Sequence, residues 1–239
     1  MCGIFGGSGQ IKTQIIKPLS LLNASRGSHS CGLAWNDGRM NLAKIAQHPI
    51  VAFSGCLAES LNAACDSGIM IGHTRYATSG KINNPNAHPF ISSDKSFIFA
   101  HNGVISNSAT FGIFAVDSQS LEIGIAKKDF SEYSGSIGLC WLDAIGILRL
   151  YRHNQELSYA KKDGAFYFSS DKKHLNLFGL KTKELKEDKI YSIKRGYIIS
   201  IEDVPSPAKI LEHISPQAGQ SWLSQYENYE NYDNSKWWQ

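Results

Sequence analysis

The chain has 239 residues, 42% of them hydrophobic and 19% charged, enough apolar material for a sizeable core in one large domain or two small ones. A formal net charge of +3 is too weak to make nucleic acid or an anionic membrane the main partner, and no apolar run reaches the roughly 20 residues of a membrane span. The N-terminus lacks the basic region and apolar core of a signal peptide, and the five cysteines, Cys2, Cys31, Cys56, Cys65 and Cys140, form no CxxC pair, so the expectation is a reducing, cytoplasmic compartment with neither a disulfide framework nor a structural zinc.

In chain order, residues 3–11 are Gly-rich and loosely alternating, which reads as a strand and a turn. Apolar residues at Ile15, Ile16, Leu19 and Leu22 keep a helical period, with Pro18 placed in a first turn. A Gly/Ser loop from Arg26 to Ser30 leads into an apolar strand ending at Trp35, and Asn36-Asp37-Gly38-Arg39 predicts a hairpin to a return strand at 40–46. Leu57 to Cys65 has helical spacing. Residues 69–78 begin as a buried strand and turn polar, and residues 79–89 form a Gly/Asn/Pro-rich loop. Phe97 to Ala100 predicts another buried strand, with Asn102-Gly103 read as a tight turn after it. Ser118 to Lys128 predicts a short helix with Asp117-Ser118 as its cap region. Six further strands, at 138–142, 145–152, 157–161, 165–169, 189–193 and 197–201, suggest an antiparallel meander. The sum is an α+β layer architecture with two sheets. Residues 211–239 are polar and aromatic, with a Tyr-Glu-Asn theme, and read either as a surface-draped tail or as a docking segment. Cys31, Cys56, Cys65 and Cys140 read as small core residues.

Cys2 is the residue around which chemistry can be organised. If Met1 is removed, one residue carries both a thiol and a free α-amine. The amine, with a reference pKa of about 7.7–8.0, can take the proton of a thiol near 8.5, which places nucleophile and general base together. A chance cysteine ahead of an apolar strand is the plain alternative. An amide-cleaving thiol needs donors for its oxyanion, and Asn102 with the N–H of Gly103 can supply them. An amino-acid substrate needs a cation for its carboxylate, for which Arg75 is suited, and an anion for its ammonium, for which Asp117 is suited. Each has a structural alternative: an ion-pair partner for Arg75, a turn for Asn102-Gly103, a helix cap for Asp117. His73, His88 and His101 match no metal spacing, so no metal and no cofactor are expected.

Taken together, the runs MCGIFGG, RGSHSCGLAW, GHTRYATSG, NAHPF and FAHNGVISN, with VDSQ more weakly, stand in one order across about the first half of the chain. This set resembles the class II glutamine amidotransferases, a family of N-terminal-nucleophile hydrolases. The resemblance implies a four-layer αββα sandwich of two mainly antiparallel sheets. It implies that Cys2 is the nucleophile and its α-amine the base, that Asn102 and Gly103 form the oxyanion hole, and that Arg75, Thr78 and Asp117 bind glutamine. Arg26 is placed by it among the groups that support the nucleophile and substrate. Tyr76 and Ser79 follow the amidophosphoribosyltransferase-like version of the glutamine loop more than the glucosamine-phosphate synthase version. A glutaminase domain over 1–210 is expected, with the tail at 211–239 after it. The expected function is hydrolysis of L-glutamine to glutamate and ammonia through a Cys2 thioester, the ammonia passing to a separate synthase partner. A hydrolase of another γ-glutamyl compound, such as a γ-glutamyl peptide, and a non-catalytic scaffold are the rival readings.

Overall fold

The structure, a computed structural model, describes residues 2–208; the expected tail at 211–239 lies outside them. Thirteen strands and five α-helices follow one another as β1 (Gly3–Gly9), α1 (Thr13–Leu22), β2 (Ser30–Asn36), β3 (Met40–Ile45), α2 (Pro49–Ser54), α3 (Ala58–Asp66), β4 (Ile69–Arg75), β5 (Phe90–Ile91), β6 (Phe97–Ile105), α4 (Leu121–Lys127), β7 (Gly135–Asp143), β8 (Leu148–His153), β9 (Ser158–Lys162), β10 (Ala165–Ser169), α5 (Lys172–Asn176), β11 (Thr182–Glu184), β12 (Lys189–Lys194) and β13 (Tyr197–Asp203). One sheet has the order β11-β9-β10-β1-β4-β2-β3 and the other β13-β12-β8-β7-β6-β5. Every pairing in both is antiparallel.

The two-residue period of a strand sorts side chains into layers. Phe5, Leu33, Met70 and Tyr167 of the first sheet pack outward, against Ile16 and Leu19 of α1, Leu61 of α3 and Leu175 of α5. Their sequence neighbours Ile4, Ala34, Ile71, Phe166 and Phe168 point inward and meet Ile98, Ala100, Cys140, Leu142 and Leu150 of the second sheet. On the far side Phe99, Leu139, Trp141 and Tyr151 pack under Leu121 and Ile125 of α4. The result is the four-layer αββα sandwich. Central strands buried on both faces read in the sequence as apolar runs, which is why β2 and β4 are legible there.

Several sequence expectations need correction. Asn102-Gly103 is not a turn: β6 runs unbroken through it, with Asn102 opposite Gly138 and Gly103 opposite Ile137 of β7. A nine-residue ladder outweighs the local turn preference. The second half is not a single meander, because β7 and β8 belong to one sheet, β9 to β11 to the other, and β12 and β13 return to the first of these. Pro18 lies inside α1, beyond the first turn. The carbonyl it leaves without a partner belongs to the exposed Gln14, where water can reach it. Cys56 is exposed, unlike Cys31, Cys65 and Cys140. Asp117 does not cap α4 with its side chain; a 3-10 turn, Asp117–Ser120, precedes that helix.

Three imidazoles are sealed inside. His73 and His88 stack with ring centroids 4.1 Å apart, and His73 Nε2 lies 2.9 Å from the His101 carbonyl oxygen. Burial holds all three below the ordinary histidine range, His73 at about 3. A base whose folded pKa is depressed binds fewer protons folded than unfolded, so stability is complete above the unfolded value near 6.5 and is lost as pH falls through it. Each such histidine contributes a slope of up to about 1.4 kcal/mol per pH unit. Urea unfolding followed between pH 7 and 5, above most of the carboxylate range, is expected to show falling stability. A flat profile would show that the imidazoles take up protons without opening the fold.

Candidate active site

Strand parity gathers the candidate residues at one end of the inner layer. Cys2 shares its face with Ile4, Arg75 and His73 share theirs with Ile69 and Ile71, and Asn102 shares its face with Ile98 and Ala100. All three sets face the space between the sheets. Gly3 pairs with Thr74, so Cys2 emerges beside the end of β4. The apolar filling of the inner layer gives way there to Cys2, Arg75 and Asn102.

Cys2 is half-buried and is held from three sides. The Ser170 hydroxyl accepts the Ile4 N–H at 3.0 Å, and the Ser170 N–H donates to the Ile4 carbonyl at 2.9 Å, fixing the start of β1. Arg26 Nε donates to the Cys2 carbonyl oxygen at 3.0 Å, and Arg26 is paired at 3.5 Å with Asp171. The sulfur meets the backbone of Tyr76 on both sides: the Tyr76 N–H donates to Sγ at 3.4 Å, and the thiol donates to the Tyr76 carbonyl at 3.5 Å. Burial pushes the Cys2 thiol up; the Tyr76 backbone contact and the Arg75 charge work against that rise. The Arg26–His29 loop lies so close to β4 that a Cβ on Gly27 would stand 2.5 Å from the Arg75 carbonyl carbon, so glycine is required there.

Arg75 is 2% exposed. Its guanidinium donates to the Lys81 carbonyl at 3.2 Å and to the Ser79 carbonyl, which leaves further N–H donors of the fork free of these contacts. Asp117 accepts the Ile105 N–H at 2.9 Å on one oxygen and the Ser79 hydroxyl at 3.0 Å on the other. Ser79 therefore touches both groups expected to recognise an amino acid: its carbonyl lies on the cation, its hydroxyl on the carboxylate. Thr78 is exposed on the same turn. The structure thus brings Cys2, Arg75, Asp117 and the 76–81 turn together, with Arg26 on the carbonyl side of Cys2.

Asn102 is 1% exposed, yet neither its side-chain oxygen nor its nitrogen has a protein partner. An amide buried without hydrogen bonds is costly, on the order of 1–3 kcal/mol per group, and such positions mark where a ligand or water completes the set. Gly103 follows with φ of +146°, and a Cβ there would lie 2.0 Å from the Ser136 carbonyl oxygen. Only glycine allows β6 to pass this close to β7.

Residues 1–119 match the family model described as glutamine amidotransferases class-II. A glutamine–fructose-6-phosphate aminotransferase of Clostridium acetobutylicum is 39% identical over 110 residues, covering 45% of this chain and 17% of that protein. A second from Oceanobacillus iheyensis is 38% identical over 109 residues with the same coverage. Each alignment thus spans less than a fifth of the relative's own length. The fold is similar to that of a glutamine phosphoribosylpyrophosphate amidotransferase from B. subtilis, with TM-score 0.67 and 19% identity over 84% of this chain and 49% of the other. A structure described as the allosteric regulatory enzyme of purine biosynthesis gives TM-score 0.68 at 20% identity, with the same coverage.

Asp171, Ser170 and His29 were not among the residues singled out from the sequence. Ser170 meets Ile4 across 166 positions, a separation at which no local pattern carries a signal. The role of Asp171 can be isolated. Its side chain also caps α5 by accepting the Lys173 N–H at 2.9 Å, and asparagine caps about as well as aspartate. Asp171→Asn therefore keeps the cap while removing the charge that orients Arg26. We expect alkylation of Cys2 by iodoacetamide to slow roughly tenfold, short of the ~100-fold that a full ångström of misplacement costs, with an unchanged unfolding midpoint. An unaltered rate would show that Arg26 holds the Cys2 carbonyl unaided.

Proposed function

Residues 1–119 belong to the class II glutamine amidotransferases, and on that footing we propose that this chain is a glutaminase unit that hydrolyses L-glutamine to glutamate and ammonia. The observation that carries the reading is the buried, unpartnered Asn102 on the same inner layer as Cys2 and Arg75. It is a buried donor without a protein partner at the end of the layer that Cys2 and Arg75 also face, which suits a developing oxyanion.

In the chain as translated, the Cys2 nitrogen is an amide and cannot act as a base. Removal of Met1 frees the amine. That amine takes the thiol proton, directly or through a water, and the thiolate attacks the side-chain amide carbon of glutamine. The carbonyl electron pair moves onto oxygen, where Asn102 Nδ2 and the Gly103 N–H stabilise it. On collapse the carbon–nitrogen bond breaks, the α-ammonium returns its proton to the departing nitrogen, and ammonia leaves a thioester on Cys2. Water, activated by the same amine, adds to the thioester and releases glutamate and the free thiol.

Recognition of the substrate falls to Arg75 for the α-carboxylate and Asp117 for the α-ammonium, with Thr78 on the turn over them. Arg75 keeps N–H donors beyond those held by Ser79 and Lys81 to meet that carboxylate. Arg26 serves through Cys2 rather than by touching substrate. The ammonia is passed to a synthase partner that consumes it, and the protein works in the cytoplasm; among the described residues no helix is long and apolar enough to cross a membrane.

Protein freed of Met1 is expected to form glutamate from glutamine, faster than from γ-glutamyl peptides. Cys2→Ala should be inactive, and Asn102→Ala should lose on the order of 100–1000-fold in kcat. Incubation with 6-diazo-5-oxonorleucine should add one label to the N-terminal peptide by mass spectrometry. A processed protein that neither makes glutamate nor takes the label would refute the reading.

A further inference from the structure

The Cys2 sulfur is framed by two successive peptide groups, and both are governed by one residue on the neighbouring loop. The N–H facing Sγ belongs to the Arg75–Tyr76 peptide, and the carbonyl facing Sγ belongs to the Tyr76–Ala77 peptide. A trans peptide points its C=O and N–H in opposite directions, so a hold on one end fixes the other. The far end of the first peptide, the Arg75 carbonyl, accepts the backbone N–H of His29 at 3.0 Å. The far end of the second, the Ala77 N–H, donates to His29 Nδ1 at 3.0 Å. The His29 ring also stacks on the Tyr76 ring, with centroids 4.7 Å apart and planes 27° from parallel.

We propose that His29 is a positioning residue for the nucleophile, its imidazole fixing through Ala77 N–H the peptide whose carbonyl faces the Cys2 sulfur. The backbone half of this grip is open to any residue at the position. The side-chain half needs an acceptor at the place of Nδ1, which sets the tautomer with the proton on Nε2. Protonation of Nδ1 would set donor against donor and release the peptide. Burial, and the neighbouring Arg75 charge, hold His29 below the ordinary histidine range and so keep the acceptor available. The ring's contacts are with the Ala77 N–H and the Tyr76 ring rather than with the Cys2 sulfur, so it acts through the 76–77 backbone. This inference rests on the proposed glutaminase reading for its kinetic consequence but not for its geometry.

Three variants separate a positioning role from mere filling of space. Asparagine places a side-chain oxygen near the position of Nδ1, glutamine near that of Nε2, and alanine provides no acceptor. His29→Ala and His29→Gln are expected to slow iodoacetamide alkylation of Cys2 and to lower glutaminase kcat, each by about tenfold, with KM little changed. His29→Asn is expected to recover most of that loss in both assays. Equal rates for the asparagine and glutamine variants, or a loss confined to KM, would overturn the proposal, and the glutamine variant preserves side-chain volume should the alanine variant fail to fold. Alkylation needs no glutamine. A wild-type protein without glutaminase activity that still orders its alkylation rates as described would sink the proposed function and leave His29 standing. Glutaminase activity with indifferent alkylation rates would do the reverse.

Discussion

The structure depends on how the inner layer between its two sheets is terminated. Along most of its length that layer is filled by Ile4, Ile71, Phe166, Phe168, Ile98, Ala100 and Leu150, whose burial holds the sheets together at roughly 25 cal/mol per Å² of apolar surface. At one end β1, β4 and β6 are continued by one or two more inward positions, Cys2 on the first, His73 and Arg75 on the second and Asn102 on the third. The pleat allows no choice of direction: a residue two places from a core residue faces the core. The site is therefore an extension of the hydrophobic core by other means, and its side chains inherit the rigidity and the low solvent access of the layer they extend.

Low solvent access gives those polar groups their leverage and sets what the site can accept. Arg75 is 2% exposed, and its resolved contacts are backbone carbonyls of the 79–81 turn. A buried cation hydrogen-bonded to backbone carbonyls, with Asp117 acting on it only through space, favours an arriving anion, because competition from water is weak there. The surrounding histidines do not dilute this preference for an anion, since burial keeps His73, His88 and His101 neutral. Were they charged, the end of the layer would crowd several cations together at a cost in stability. Asp117 supplies the opposite pole, tied to β6 through the Ile105 N–H. A small zwitterion matches a cation and a carboxylate held at fixed separation, and a buried amide waiting at Asn102 matches the charge that would develop when its side-chain carbonyl is attacked.

Much of this was legible in the sequence, for definite reasons. The central strands announce themselves because they are buried on both faces, and the residue types of the site announce themselves because each does something few others can: a thiol behind the initiator, an arginine after a buried strand, an Asn-Gly pair after another. What misled was local preference where long-range pairing decides. Asn-Gly is a turn in isolation, but a strand when β7 lies alongside. Asp117 resembles a cap by position, yet its carboxylate is spent on Ile105 and Ser79 instead. The meander in the second half failed for a related reason: alternation shows that strands exist but carries no information about which of two sheets a strand joins. Short elements such as α2 and β11 lie below the length at which a period can be counted.

Part of what holds Cys2 comes from outside the recognisable stretch: Ser170 and Asp171 lie beyond it, whereas Arg26 and Tyr76 lie within it. The family match ends at residue 119, whereas the likeness of fold extends over 84% of the chain. The difference has a mechanical meaning. β1 lies between β4 and β10, so one of its two hydrogen-bonded neighbours comes from the matched half and the other from the remainder. Where β10 ends, Ser170 clamps Ile4 and Asp171 steadies Arg26 against the Cys2 carbonyl. Without that strand Cys2 would lie at the end of an edge strand, with one side of its backbone unpaired. In the proposed processed form, with Met1 removed, Cys2 has no preceding residue to anchor it. It has to be held through its own carbonyl and through the strand it begins, and those are the two points at which Arg26 and Ser170 take hold.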